Sequence, residues 1–235
     1  MSDTTYYAIG DVHGMAKRLE VMHDAILLDA EIVGRKATVI HLGDYVDRGP
    51  ESRRVIELVR RLEERARKRF VVKVHALLGN HEKMMIDALG DDNSEEHWFD
   101  NGGEQTIASY NATREDWRER VDQSHVDWLR ALPSVFADED RRLVFVHAGI
   151  DPATYPDDDE ETRIWTRSRR FFNPERWPER AELEGLRVIH GHTPTDDKAP
   201  EVNARRINVD TGAVYGGPLT CVVLTPGEKE RFLYA

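Results

Sequence analysis

In the stretch TYYAIGDVHG (residues 5–14), a short β-prone run is followed directly by glycine, aspartate and histidine. Downstream of it, apolar residues recur at helical spacing from Met15 to Leu28. The pattern returns in ATVIHLGDYVDRG (residues 37–49), which leads into a second helical pattern over Glu51–Ala66. Successive strand–loop–helix units predict an α/β protein.

The rest of the chain adds strands in its second half and helices in between. Residues 82–132 contain many helix formers and scattered tryptophans, which predicts several short helices. No Gly/Ser-rich linker divides the chain, so we expect residues 1–235 to form a single domain. Short β-prone runs predict strands over Thr5–Ile9, Ala37–Leu42, Phe70–Leu77, Leu143–Val146, Leu186–Ile189, Arg206–Val209, Leu219–Leu224 and Arg231–Tyr234.

Composition excludes several classes of function. The formal net charge of -11 disfavours general binding to nucleic acid or to anionic membranes, which requires a basic surface. An anionic substrate must therefore meet local positive charge. Cys221 is the single cysteine, so no internal disulfide can form and a packing role is expected. No leader pattern and no apolar run of about 18 residues is visible, and we expect a cytoplasmic protein without a membrane span.

The side chains that could bind metal follow the ends of predicted strands. Loops at the ends of parallel strands converge on one edge of a sheet, so residues distant in sequence can share one cleft. Imidazole, carboxylate and amide ligands suit manganese, iron or zinc better than calcium, and a thiolate zinc site is excluded. The pattern predicts a site for two metal ions, with these potential ligands: Asp11, His13, Asp44, Asn80, His147 and His192.

Five motifs occur in a specific order between Gly10 and Thr193: GDVHG, GDYVDRG, GNHE, HAG and GHT. Together they resemble the signature of the PPP-type metallophosphoesterases, a family that includes small bacterial and phage serine/threonine protein phosphatases. The resemblance implies two mixed β-sheets packed as a sandwich and flanked by helices. It also implies hydrolysis of phosphate esters by a hydroxide that bridges two divalent metal ions, without a phosphoenzyme. Manganese is the expected metal, with iron, zinc and nickel as alternatives.

The resemblance also implies a role for each ligand position. One carboxylate, Asp44, would bridge the two metal ions, because a bridging carboxylate can keep two cations close enough to share a water molecule. The remaining ligands would be divided between the ions: Asp11 and His13 for the first, and Asn80, His147 and His192 for the second.

Four further residues, together with Asn80, are expected to act on the substrate. His81 would protonate the leaving oxygen, and Asp47 would orient its ring, since a carboxylate fixes the tautomer of a bonded imidazole. The alternative for His81 is a supporting role behind the ligands. Arg48 and Arg167 resemble the two arginines that bind the substrate phosphate in a bidentate manner. A solvated surface position is the alternative for Arg167.

Other notable residues receive structural interpretations. His190 is expected to support the site from behind, and Asp210 to shape its floor without binding metal. The acidic stretch Asp151–Glu161 is interpreted as a solvated surface loop. The remaining histidines are assigned to strands or helices rather than to chemistry: His41 and His75 to strands, and His23, His97 and His125 to helices.

Two substrate classes fit the motifs. The sequence favours a phosphomonoesterase acting on phosphorylated serine or threonine in proteins, partly because Asp47 is present in VDRG. The alternative is a dinucleoside polyphosphate hydrolase, because diadenosine tetraphosphate hydrolases share these motifs and an arginine-rich segment like WTRSRRFF (residues 165–172). The expected partner is thus a phosphorylated protein or a small phosphoester.

Overall fold

Two mixed five-stranded sheets form the framework of the computed structural model, which describes residues 3–66 and 70–235. The first sheet has the order β10-β9-β1-β2-β3 and the second the order β4-β5-β6-β8-β7. The strands are β1 (Thr5–Ile9), β2 (Ala37–His41), β3 (Val71–Ala76), β4 (Val135–Asp138), β5 (Leu143–Val146), β6 (Arg187–His190), β7 (Glu201–Val202), β8 (Arg206–Asn208), β9 (Thr220–Leu224) and β10 (Arg231–Tyr234).

Strand direction places the candidate ligands. The three strands β1, β2 and β3 run parallel in the first sheet, as do β5, β6 and β8 in the second. The pairs β1–β9, β9–β10, β4–β5 and β7–β8 are antiparallel. The chain therefore leaves each parallel set at one sheet edge, and the loops there carry the predicted ligands.

The helices cover the sheets and fill the stretch between β3 and β4. None of the described helices combines the length and apolarity that crossing a bilayer requires. They are α1 (Ala16–Val33), α2 (Ser52–Ala66), α3 (Asn80–Gly90), α4 (Asp92–Trp98), α5 (Glu104–Ser109), α6 (Trp117–Arg120), α7 (Gln123–Arg130), α8 (Glu160–Trp165) and α9 (Arg169–Phe172), with a π-helical turn at Phe99–Gly103 and short 3-10 turns at Pro174–Arg176, Ala181–Leu183 and Ala213–Tyr215.

Alternate side chains of β1 point to opposite faces of its sheet, and both faces are buried. Tyr6 and Ala8 of β1 pack in the same buried cluster as Phe145 of β5, between the two sheets. Tyr7 and Ile9, on the opposite face of β1, belong to the cluster that the helices cover. Each large apolar side chain buried in this way contributes about 1.5–3 kcal/mol. The predicted sandwich of two mixed sheets with flanking helices is confirmed.

The end of the first helix and two of the strands differ from the sequence prediction. The first helix, predicted to end at Leu28, continues to Val33 and ends at Gly34, whose φ of 67° is typical of a helix C-terminus. The edge strands β4 and β7 were not predicted, because each pairs on one side only and is partly or fully exposed. Without a buried face on both sides, such short strands have no strong apolar signature.

Candidate metal centre

Asp44 lies where loops from the two sheets meet. Its Oδ2 atom is 3.3 Å from Nε2 of His13, which follows β1. Its Oδ1 atom is 3.3 Å from Nε2 of His147, which follows β5 in the other sheet. Asn80 extends this contact, because its Oδ1 atom is 2.9 Å from both His147 Nε2 and His192 Nδ1. Five of the six predicted ligands are thus connected by direct contacts.

The donors suit two divalent cations. Two groups of potential ligands have donor atoms within 4.8 Å of one another, and both groups include Asp44. Nitrogen and oxygen donors of this kind bind first-row divalent ions, and all members are buried. The groups are His13, Asp44 and His81, and Asp44, His147 and His192.

Asp11 and His81 occupy places that differ from the simplest expectation. Asp11 is absent from both three-residue groups, and its carboxylate accepts the backbone N–H of His192 at 3.1 and 3.2 Å. His81 belongs to the first group, although a proton-donor role was predicted for it. Its Nε2 atom is 3.9 Å from Asp44 Oδ2, so this nitrogen faces the centre. The assignment of Asp11 as ligand and of His81 as acid stays a prediction.

The backbone of the centre is held in an uncommon conformation. Positive φ angles occur at His13 (41°), Asp44 (53°), Asp47 (70°), Arg48 (67°) and His192 (69°). Non-glycine residues rarely adopt such angles, and each costs about 1–3 kcal/mol that the surrounding structure must offset. These five are predicted site residues, whereas the other three described non-glycine residues with positive φ are not: Asn111, Arg142 and Lys198. Backbone strain is common where functional geometry is imposed.

Close approach explains one of the glycines in the motifs. A Cβ atom at Gly79 would lie 2.3 Å from Oδ1 of Asp44 and 2.4 Å from its backbone nitrogen. Such contacts are impossible for any other residue without a shift of the loop. Gly79 therefore allows the β3–α3 connection to lie directly against the carboxylate that both groups share.

Glu82 organises the Asp44 loop and was not predicted to do so. Its buried carboxylate accepts backbone N–H groups from Asp44 (2.8 Å), Tyr45 (2.7 Å), Val46 (3.1 Å) and Gly79 (3.0 Å). Burial and the nearby Asp44 charge raise the pKa of Glu82 to about 8, whereas these donors favour the ionised form. The sequence feature that could have indicated this role is the position of Glu82 as the last residue of GNHE.

His81 and Asp47 form the predicted pair. Nδ1 of His81 is 2.7 Å from Oδ2 of Asp47, and both side chains are buried. Asp47 is fixed in turn by the indole N–H of Trp98 at 3.0 Å and by the hydroxyl of Thr106 at 2.7 Å. The helical segment thus supplies two residues that support the site. No sequence motif marked Trp98 or Thr106, because their contacts depend on tertiary packing.

Both predicted arginines lie against histidines of the centre. Nη1 of Arg48 is 2.6 Å from His13 Nε2, and Nε of Arg167 donates to His192 Nε2 at 3.2 Å. Their guanidinium groups thus contact histidines from the two different ligand groups. Burial acts to raise the pKa of Asp44, but the imidazoles of His147, His81 and His13 hold it well below its usual value.

The residues given structural interpretations lie outside the ligand groups. His190 is buried, with Nε2 3.2 Å from Arg206 Nη1, and Asp210 is buried where its charge acts on Asp11. The acidic stretch is not uniformly solvated, because Asp158 is buried and pairs with Arg163 at 3.0 Å. The structure also places the other histidines away from the centre, on the elements predicted for them: His41 on β2, His75 on β3, His23 on α1, His97 on α4 and His125 on α7.

Comparison with known proteins identifies the family of this chain. Residues 4–218 match the family described as Calcineurin-like phosphoesterase. A bis(5'-nucleosyl)-tetraphosphatase PrpE [asymmetrical] of Geobacillus thermodenitrificans is 28% identical over 91% of this chain and 88% of its own length.

Two solved structures share the fold. A candidate diadenosine tetraphosphatase has a TM-score of 0.63 at 18% identity, with 100% of this chain and 99% of its own chain covered. A cold-active protein-tyrosine phosphatase of a psychrophilic Shewanella species has a TM-score of 0.60 at 19% identity, with coverage of 99% and 82%.

Proposed function

This chain belongs to the calcineurin-like phosphoesterase family, and we propose that it hydrolyses bis(5'-nucleosyl) tetraphosphates in a metal-dependent reaction. The observation that carries the phosphohydrolase chemistry is the carboxylate of Asp44, whose two oxygens face imidazoles from the two sheets. The family fold implies a dinuclear divalent metal centre. Its proposed ligands are those predicted from the sequence: Asp11, His13, Asp44, Asn80, His147 and His192.

The proposed division of labour uses the contacts around the centre. Two divalent cations bound there would supply a water molecule of lowered pKa and neutralise developing charge on the phosphoryl group. Arg48 and Arg167, which reach the two ligand groups, would orient the phosphoryl oxygens by bidentate hydrogen bonds. Asn80 would contribute its side-chain amide beside them. Manganese is the metal we propose to test first.

His81 is proposed to deliver a proton to the leaving oxygen. Its Nδ1 atom is occupied by Asp47, so Nε2 is the nitrogen that is free to face the substrate. The carboxylate of Asp47 supports the protonated ring during the transfer. Since Asp47 is itself held by Trp98 and Thr106, the ring orientation is fixed before substrate binds.

The choice of substrate rests on the relatives. The sequence motifs by themselves favoured a protein serine/threonine phosphatase, a preference that is not confirmed. The Geobacillus relative covers 91% of the chain and its name states hydrolysis of a dinucleoside tetraphosphate, which supports the alternative. The protein phosphatase remains the second candidate, because the 2.7 Å His81–Asp47 pair would serve the poor leaving group of a phosphoserine ester.

A direct comparison of substrates tests the proposal. We would measure kcat/KM for diadenosine tetraphosphate and for a phosphoserine peptide with manganese-loaded protein, and use the chelator-treated protein as the blank. The proposal expects preference for the dinucleotide and unequal products, ATP and AMP, separated by chromatography. Preference for the peptide would reject the dinucleotide assignment and establish the second candidate. The Asp44→Asn variant, purified in the same way, controls for contaminating phosphatases.

A further inference from the structure

Tyr215 is an exposed aromatic side chain at the edge of the metal centre. The residue is 55% exposed, so burial in the core does not account for its position. The guanidinium carbon of Arg48 lies 5.7 Å from the centroid of its ring. Arg48 also contacts His13, a predicted metal ligand, so Arg48 links the Tyr215 ring to the metal centre. An aromatic face next to a phosphate-binding arginine is a feature that nucleotides can use.

The turn that carries Tyr215 is closed by backbone hydrogen bonds from Tyr215 and Gly217 to the carbonyl oxygen of Gly212. Gly212 and Gly216, with φ of 69° and 80°, flank the 3-10 turn Ala213–Tyr215. A Cβ atom at Gly217 would lie only 1.8 Å from the carbonyl oxygen of Thr211, which shows how closely the turn is packed at its base. The backbone of the turn is thus closely packed, and it places the exposed Tyr215 side chain beside Arg48.

A second cation lies beside the same turn. The ammonium group of Lys198 donates to the carbonyl oxygen of Tyr215 at 3.2 Å. Lys198 belongs to the loop that follows His192, whereas Arg48 belongs to the loop after β2. Cations from two separate loops thus contact Tyr215, Arg48 at its ring and Lys198 at its backbone carbonyl, in a chain whose net charge is -11. A second aromatic residue, Trp165, contacts His192 of the other ligand group. Unlike Tyr215, it is partly packed into the core.

We propose that Tyr215 stacks against one nucleobase of the substrate, while Arg48 and Lys198 bind the phosphate chain that leads from it to the metal centre. This inference rests on the proposed function and specifies where one nucleoside of the dinucleotide lies. Stacking of a base on an aromatic ring tolerates different bases, because every base has a π face. Tyr215 would therefore select for a nucleoside without strong selection among bases.

The test compares a probe with a base and a matched probe without one. Dissociation constants of AMP and of ribose 5-phosphate are measured by calorimetry on manganese-loaded protein. The wild type is expected to bind AMP roughly tenfold more tightly, a ratio that corresponds to stacking of one base. In Tyr215→Ala this ratio should fall to about one, and Tyr215→Phe should retain it, because the phenyl face is kept.

Steady-state kinetics of the variants provide a second test of the proposed role of Tyr215. Tyr215→Ala is expected to raise KM for diadenosine tetraphosphate roughly tenfold, with a smaller change in kcat, because the proposed role of the ring is to bind a base rather than the phosphoryl group. The matched control is Tyr234→Ala, since Tyr234 is 53% exposed but lies on β10. That variant should match the wild type in both measurements.

The outcomes separate this inference from the proposed function. If the wild type hydrolyses the dinucleotide but Tyr215→Ala keeps the AMP preference and KM, the stacking role is overturned and the function stands. If the wild type does not hydrolyse the dinucleotide, the proposed function fails, and the calorimetric ratio in Tyr215→Ala still decides whether the ring binds a base. A loss of AMP preference in Tyr234→Ala would also reject the assignment to Tyr215.

Discussion

Two clusters of buried histidines differ in the charged groups that surround them. At the metal centre, His13 and His147 lie 3.3 Å from the oxygens of Asp44. Between α1 and β2, His23 and His41 instead contact each other, with their Nε2 atoms 2.9 Å apart, and the charged neighbour of His23 is Arg65. The same side chain is thus arranged to attract cations in one region and to remain neutral in the other.

The difference teaches that burial alone does not make a functional histidine. We call His23 and His41 the core pair. Burial lowers the pKa of His41 to about 4, which keeps the core pair uncharged at neutral pH. For His147, burial also acts to lower the pKa, but the charge of Asp44 outweighs it and raises the pKa to about 9. The Asp44 carboxylate thus sets His147 apart, whereas burial lowers the pKa values of His13, His81 and His192 as it does in the core pair.

The strongest way to break this contrast is to remove the shared carboxylate. Asp44→Asn should weaken binding at both metal positions and lower kcat/KM by about 1,000-fold or more, since loss of one transition-state donor alone costs about 100- to 1,000-fold. Metal content by elemental analysis and hydrolysis rates check this. Asp29→Asn, in a carboxylate that pairs with Arg231 away from the centre, is the control. Full activity in Asp44→Asn would remove the two-metal assignment.

Replacing His81 separates proton transfer from metal binding. His81→Asn should retain both metals and lower kcat by about 100-fold, the smaller end of the range for general acid catalysis. The control is His125→Asn, because His125 is buried and bonded to Tyr110 at 2.7 Å on a different helix. Loss of metal together with activity would reassign His81 as a ligand, as its place in the first group would allow.

Glu82 tests whether support of the loop matters as much as the ligands themselves. Glu82→Gln replaces an acceptor of four backbone N–H bonds by an amide with one acceptor oxygen, so the Asp44 loop loses part of its support. We expect metal affinity to fall by about 10- to 100-fold, which is typical of residues behind the ligands. Calorimetric titration with Mn²⁺ measures the change, and unaltered affinity would limit Glu82 to a folding role.

The smallest expected effect concerns the core pair. The pKa of His41 is about 4 in the folded protein and about 6.5 when unfolded, so the unfolded state takes up more protons as pH falls through this range. Stability is therefore lost as pH falls from 6.5 towards 4. Between pH 7 and pH 5, His41 should account for about 2 kcal/mol of this loss, which His41→Gln should abolish.

Urea unfolding of chelator-treated protein at the two pH values measures that difference. The metal centre contributes equally to the wild type and the variant, so its titration cancels in the comparison. His97→Gln is the control, because His97 is exposed on α4. An equal pH dependence in His41→Gln and the wild type would show that the core pair is not held neutral by burial.

Local sequence was sufficient for much of the fold and for the ligand types. Three predicted strands agree with the structure to the residue. Thr5–Ile9 and Leu143–Val146 are fully buried, whereas Arg231–Tyr234 is a partly exposed edge strand that contains two aromatic residues. The edge strands β4 and β7 were not predicted: β4 is only partly buried, and β7 consists of two exposed residues. The motif histidines and carboxylates were recognisable because glycine and the end of a strand mark each one.

The class of fold, the potential ligands and the arginines that reach them were recognisable from the amino-acid sequence. The residues that contact them were found in the three-dimensional structure: Glu82 beneath the Asp44 loop, Trp98 and Thr106 around Asp47, and Tyr215 beside Arg48. The two kinds of feature depend on interactions that act over different distances along the chain. Strand patterns and turn glycines act over a few neighbouring residues, whereas the orientation of a buried carboxylate or an exposed ring depends on contacts between segments far apart in the chain.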